Sequence, residues 1–216
     1  MKKIIAASVL SLAALSAHAA EQGAYLFGNL GYNFAKPKKL DTQGVEGLSA
    51  SHSAAGASWE LGGGYRFNDH FALEASYADF GKAKTSVAAR TDDINGNVGV
   101  SLEATALRLA AVGILPVTSE LELFGKVTLN QMYFNASANA SASIPALGFE
   151  TAGSGSEKQN RLRPGIGLGA AYKINKQLSL RGEYEYVSLP NWTLPNGASV
   201  MQNGMHIVKA GISYRF

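Results

Sequence analysis

The sequence predicts an all-β fold, an eight-stranded antiparallel up-and-down transmembrane β-barrel. Three observations predict it. The final residues alternate strictly, with Val208, Ala210, Ile212, Tyr214 and Phe216 in one phase and Ile207, Lys209, Gly211, Ser213 and Arg215 in the other. Successive side chains of a strand point to opposite faces, so one face is apolar and aromatic and the other carries charge. Met1-Lys2-Lys3, an apolar run from Ile4 to Leu15 and Ala17-His18-Ala19 form a basic, apolar and small-residue series of the secretory signal type, too short to span a bilayer. Finally, runs of about ten residues alternate along the whole chain with short turns and long polar stretches, the pattern of outer-membrane barrels.

Composition limits the alternatives. The chain has 216 residues and no cysteine, which excludes a disulfide scaffold. Removing residues 1–19 leaves 197 (216 − 19), enough for one large all-β domain over 20–216. It also lowers Lys+Arg from 19 to 17 against 16 acidic residues, a net charge of +1. Those basic residues are dispersed, so nucleic acid is not an expected partner. No segment after the leader approaches 18 uninterrupted apolar residues, so any membrane crossing must be made by strands, and in lipid strands must close into a barrel.

The first strand reads from Ala24 to Phe34, with Leu26, Leu30, Tyr32 and Phe34 opposite Tyr25, Phe27, Asn29 and Asn33. A loop from Ala35 to about Gly56 is expected to follow, carrying Lys36, Lys38 and Lys39. The second strand, Ser58 to Phe67, sets Trp59, Leu61, Tyr65 and Phe67 against Glu60 and Arg66, and Asn68-Asp69 makes a turn. The third, His70 to Phe80, places Phe71, Leu73 and Tyr77 opposite Glu74 and Ser76. A second loop is expected from Gly81 to about Asn97. In the fourth strand Val98, Val100 and Leu102 are out of phase with Leu107, Leu109 and Ala111, which calls for a bulge near Glu103 to Ala106 or a later loop end.

Pro116 to Glu120 is a short turn, and the fifth strand sets Leu121, Leu123, Val127 and Leu129 against Glu122, Phe124, Lys126 and Thr128. Asn135 to Asn160, rich in Ala, Ser, Gly and Asn, reads as a mobile third loop. The sixth strand, Arg161 to Tyr172, alternates Leu162, Ile166 and Leu168 with Arg163 and three glycines; Asn175-Lys176 turns the chain. The seventh, Gln177 to Val187, alternates Leu178, Leu180, Tyr184 and Tyr186 with Arg181, Glu183 and Glu185. An uncharged loop containing Trp192, Ser188 to Gly204, leads to the closing strand, Met205 to Phe216.

Within these strands Glu60, Arg66, Glu74, Arg108, Glu122, Lys126, Arg163, Arg181, Glu183, Glu185, Lys209 and Arg215 share the face of Gly, Ser and Thr. A charge facing lipid near the midplane costs about 2–4 kcal/mol, so this sorting fits charges inward and apolar residues outward. A lipocalin-like soluble barrel would invert it.

The stretches Gly62 to Gly81, Leu115 to Lys126, Ala171 to Tyr186 and Gly211 to Phe216, with Ala24 to Asn33, resemble the strand-turn-strand segments and closing strand of the OmpA-type outer-membrane β-barrel family, in its small barrel-only form without a periplasmic peptidoglycan-binding domain. The resemblance implies a lumenal salt bridge between Glu74 and Arg181 that closes the pore. The family's second pair falls on Ala171 and Val112, where it is absent, leaving Glu183 or Glu185 as alternative partners for Arg181. The lumenal network is expected to comprise Glu60, Glu74, Arg108, Lys126, Arg181, Glu183 and Glu185. Val208, Ala210, Ile212, Tyr214 and Phe216 are expected to form the closing-strand signal read by the barrel assembly machinery.

A structural and surface role in the bacterial outer membrane follows, with at most weak pore activity. Partners would be outer-membrane lipid and lipopolysaccharide, with a host-surface ligand as an alternative reached through the four loops, and the barrel is expected to be a monomer. An enzyme modifying lipid A would need a serine activated by histidine with a carboxylate behind it. None of His18, His52, His70 and His206 has such neighbours on its own strand face, and His52-Ser53 would serve only if the first loop folded back. No catalytic residue, cofactor or metal is expected.

Overall fold

The computed structural model describes residues 22–37, 48–53, 55–90, 95–144, 149–189 and 201–216. The leader-type residues 1–19, Lys38 and Lys39, Asp92 and Asp93, and Trp192 lie outside them.

Antiparallel pairing runs through nine strand segments: β1 (Gly23–Pro37), β2 (Leu48–Ser53), β3 (Ala55–Asn68), β4 (Phe71–Arg90), β5 (Asn95–Pro116), β6 (Leu121–Ile144), β7 (Phe149–Lys173), β8 (Leu178–Val187) and β9 (Met201–Arg215). β2 and β3 follow one another along the same neighbour, β4, so the wall has eight staves. β1 pairs with both β3 and β9, from Tyr25 opposite Arg215 to Ala35 opposite Met205, and β4 pairs with β5, which closes the ring. Closure leaves the barrel without an edge in lipid, where each unpaired backbone group would cost several kcal/mol.

The short turns are where polar side chains can fold back on the backbone. Asn68 Oδ1 accepts from the His70 amide at 2.8 Å, and Asn175 Oδ1 from the amides of Gln177 (2.9 Å) and Leu178 (2.8 Å). Thr118 Oγ1 accepts from the Leu121 amide at 2.9 Å.

The outer surface is a lipid belt. Leu30 is 73% exposed, Leu168 65% and Val127 63%, while alternate residues of the same strands are buried in the lumen. Rings gather at the two rims, where amphipathic aromatics stabilise an interface. At the turn end Phe67 stacks on Phe71 (5.7 Å) and Tyr214 meets Phe216 edge-on (5.5 Å). Towards the other rim Tyr32 packs on Phe34 (4.9 Å) and Trp59 on Tyr77 (5.6 Å). In the closing strand Val208, Ala210, Ile212, Tyr214 and Phe216 are exposed on this lipid-facing side.

The stretches expected as loops are largely strand. Residues 82–90 pair with 95–103, and 135–144 pair with 149–158, so the second and third loops are hairpin extensions rising beyond the barrel, and the third is not a free loop. Backbone pairing to a neighbour already in place overrides the weak strand propensity of Ala, Ser and Gly. β2 occupies part of the first expected loop, and β9 begins at Met201 rather than Met205. β8 stops at Val187, so the extended wall, β4 to β7, stands over one side of the barrel.

The bulge expected near Glu103 to Ala106 is not there, and the alternation of β5 runs on unbroken. β5 pairs with β6 without a break, whereas the β4–β5 register slips between Asp79 and Lys82, so β4 carries the extra residue. Gly81 has φ +79°, its amide donates to Asp79 Oδ1 at 2.7 Å, and a Cβ there would lie 2.6 Å from the Ala57 carbonyl. The slip sends Lys82 outward, where it pairs with Glu103 and holds that carboxyl below its usual range, chiefly by the hydrogen bond and then by charge. Val98, Val100 and Leu102 are thus in phase with the lumenal Arg108: they face the inner side of the extension, and Leu102 packs on the apolar residues below.

Two outcomes test this architecture. Leu168→Arg, at mid-strand on the lipid side, should destabilise the barrel by about 2–4 kcal/mol in urea unfolding from phospholipid vesicles. Gly81→Val should cost about 1–2 kcal/mol or more through its positive φ, measured in the same way.

Candidate functional site: the lumenal charge network

Among the described residues ten charged side chains are buried in the lumen, five carboxylates (Glu60, Glu74, Glu122, Glu183, Glu185) and five cations (Arg66, Arg108, Lys126, Arg181, Lys209). All seven residues expected in the network are among them. They arrive there because each occupies the inward phase of its strand and because eight strands enclose an interior that side chains can just fill. Glycines facing the longer cations make the room. A Cβ on Gly31 would lie 2.7 Å from Lys209 Cγ, and one on Gly167 3.2 Å from Lys126 Cγ.

The network has three connected levels. Next to the turns, Arg66 Nη1 donates to both oxygens of Glu122 at 3.0 Å, while its Nε and Nη2 donate to the carbonyls of Asn68 (3.1 Å) and Asp69 (2.8 Å). Lys173 Nζ reaches the same Glu122 at 2.8 Å. Arg66 therefore ties the first turn to the opposite wall.

One level up, Arg181 Nη1 donates to Glu74 Oε1 at 2.7 Å, and the Tyr25 hydroxyl donates to that oxygen at 2.9 Å. The guanidinium lies between the rings of Phe27 and Phe124, 4.8 and 5.0 Å from their centroids, so its faces meet π clouds while its edge meets the carboxylate. Glu183 is the second carboxylate in reach, with Oε2 3.6 Å from Arg181 Nη2 and Oε1 2.8 Å from Lys126 Nζ. Lys126 Nζ is also 4.0 Å from Glu74. Glu183, not Glu185, thus stands beside Arg181.

Above it, Arg108 bridges Glu60 (2.8 Å) and Glu185 and donates from Nε to Asn130 Oδ1 at 2.7 Å. Lys209 Nζ is 2.7 Å from both Glu60 and Glu185 and pairs also with Glu183. Ser76 (2.7 Å) and Asn29 (3.2 Å) complete the shell of Glu60, and Thr128 (3.2 Å) adds to that of Glu185. Charge-assisted contacts of this density offset the loss of water around each ion.

Towards the extended wall the lumen turns apolar. Phe80, Met132, Phe134, Val187, Met205 and Ile207 form one buried cluster with Ala78 and Ala106. Sequence reasoning missed this cap, and it also left Lys209, Tyr25, Asn29 and Asn130 out of the network. Asn130 shares the inward phase of Lys126 on its own strand, and Lys209 that of Arg215, whereas Tyr25 and Asn29 share the inward phase of β1 with Phe27 and Asn33, where no charge marks the lumenal side.

A family model for the outer membrane protein beta-barrel domain matches residues 5–216. The chain belongs to that family. This outer-membrane β-barrel shares its fold with OprG of Pseudomonas aeruginosa, 16% identical over 91% of this chain and 97% of that one, with a TM-score of 0.50. Neisserial surface protein A (16% identity, 89% and 97% covered, TM-score 0.46) and the outer membrane protease OmpT of Escherichia coli (12%, 89% and 95%, 0.44) are also similar. No curated protein sequence matches the chain. Among the described residues the histidines are spread apart. His70 is at a turn with Nδ1 3.3 Å from the Ile114 carbonyl, His206 Nδ1 is 2.5 Å from the Tyr184 hydroxyl on the outer side, and His52 falls opposite Thr85 in β2.

Truncation should separate pairing from packing. Arg181→Ala leaves Glu74 buried without its cation and should cost about 3–5 kcal/mol in urea unfolding. Glu74→Gln combined with Arg181→Met should recover a large part of that loss, because no lone ion remains.

Proposed function

We propose that this outer-membrane protein is a structural, surface-presenting barrel whose lumen is plugged, with at most weak pore activity. The observation that carries the reading is the balanced set of five buried carboxylates and five buried cations lying under an apolar cap. An ion entering the lumen would have to displace paired side chains and then shed its water against Phe80, Met132 and Phe134, two barriers in series. The β4–β7 extension, polar on its outer side and standing beyond the rim, is the surface on which lipopolysaccharide or a host ligand would meet the protein. Export through a leader cleaved after Ala19, insertion by the barrel assembly machinery through the Val208 to Phe216 phase, and a monomeric state in outer-membrane lipid complete the proposal.

Planar-bilayer recording tests it. The wild type should give only rare, low-conductance events, and the double variant Arg108→Ala/Phe134→Ala, which thins both barriers, should raise mean conductance at least several-fold. A wild-type barrel that conducts steadily, or a double variant indistinguishable from it, would sink the plugged-lumen reading.

A further inference from the structure

The turn end of the lumen opens into a cavity of about 60 Å³. Among the described residues five cations line it, Arg66, Lys173, Lys176, Arg181 and Arg215, against two carboxylates, Glu74 and Glu122, a difference of three positive charges within that lining (5 − 2). The balance found higher in the lumen therefore fails here. Both carboxylates are already engaged, Glu122 by Arg66 and Lys173 and Glu74 by Arg181 and Tyr25. Arg181 is itself buried, and its Nε has no hydrogen-bond partner among the described residues. Ser179 and Ser213, opposite one another in the β8–β9 register, add two hydroxyls to the same wall, and Phe124, Val112 and Ile114 give it a low-dielectric back.

We propose that this vestibule is a binding site for a phosphate oxyanion entering from the periplasmic side. At roughly 10–15 Å³ per water-sized group the cavity of about 60 Å³ holds about four to six such groups, room for one phosphate. Apolar walls focus the potential of the surplus cations into the opening, and the charge-assisted donors are those a phosphate accepts from most strongly. Short turns face the periplasm in this class of barrel, so the phosphate is either the free ion or an inner-leaflet lipid headgroup that reaches into the mouth.

The test uses the refolded full barrel in a neutral, phosphate-free detergent at low ionic strength, with ¹⁵N-labelled arginine and backbone. Inorganic phosphate is titrated in one arm and a short-chain phosphatidylglycerol in the other. Saturable shifts at the Arg181 Nε–H and the Ser179 and Ser213 amides are expected, weakened about threefold to tenfold by Lys173→Gln or Arg215→Gln. Lys176→Gln, at an exposed turn where folding is not at stake, should weaken binding in the same direction. Saturation by inorganic phosphate assigns the free ion; saturation by the lipid alone assigns the headgroup, and each supports the site. Non-saturating shifts in both arms, or affinities unchanged in all three variants, would overturn it.

Discussion

Lipid offers no hydrogen bonds, and that single constraint organises the molecule. It forces every backbone amide of the crossing strands into a pair, so the sheet must close, and closure is achieved by β1 lying between β3 and β9. It also divides each strand into two environments that alternate with the pleat. Leu168 and Ile166 face acyl chains while Gly165, Gly167 and Gly169, one residue away, face a crowded interior. Once the ring is shut, the positions of all the charges follow from parity.

Closure creates the second problem, ten ionised groups confined in a narrow interior. Isolated, each would cost several kcal/mol of desolvation, so none can be left without a counter-ion. Sharing is the solution: Glu60 meets Arg108 and Lys209, Glu185 meets the same two cations, and Glu183 meets Lys126 and Lys209. A shared network restrains each strand through several others, which makes the lumen a rigid strut spanning the barrel. Arg181 adds a different solution, since Phe27 and Phe124 cover its faces and replace water there with π electrons.

The membrane-crossing part was legible because burial on one side only writes a period of two into the chain. The pairing of Glu74 with Arg181 is what the family resemblance implies, and the two meet at 2.7 Å. The extensions were illegible for the opposite reason. Residues 135–144 and 149–158 are mostly small and polar on one side and alanine or glycine on the other, a weak alternation that composition alone reads as loop, yet they pair without a break. The β4 bulge shows the limit of reading strands one at a time. Its extra residue lies around Gly81, whereas the apparent phase conflict of Val98 and Val100 belongs to β5, which is unbroken and whose inner side turns apolar beyond the rim. The apolar cap is written in the same phase as the charges, with Phe80, Met132 and Ile207 in step with Glu74, Lys126 and Lys209, so parity alone does not separate a lumenal ion pair from a lumenal apolar plug.

The lumen is thus graded along its axis, and the grading has a physical direction. At the turn end the described lining of the cavity carries more cations than carboxylates; in the middle charge is balanced and paired; at the far end the wall is apolar. An anion attracted to the mouth gains from the surplus cations but meets Glu74, Glu183 and then Glu185 as it advances, and finally a cluster that offers no donor. A cation faces repulsion first and the same apolar cluster last. Neither sign of charge has a path along which each lost water is replaced, so the feature that attracts ions to the periplasmic mouth is compatible with a barrel that does not pass them.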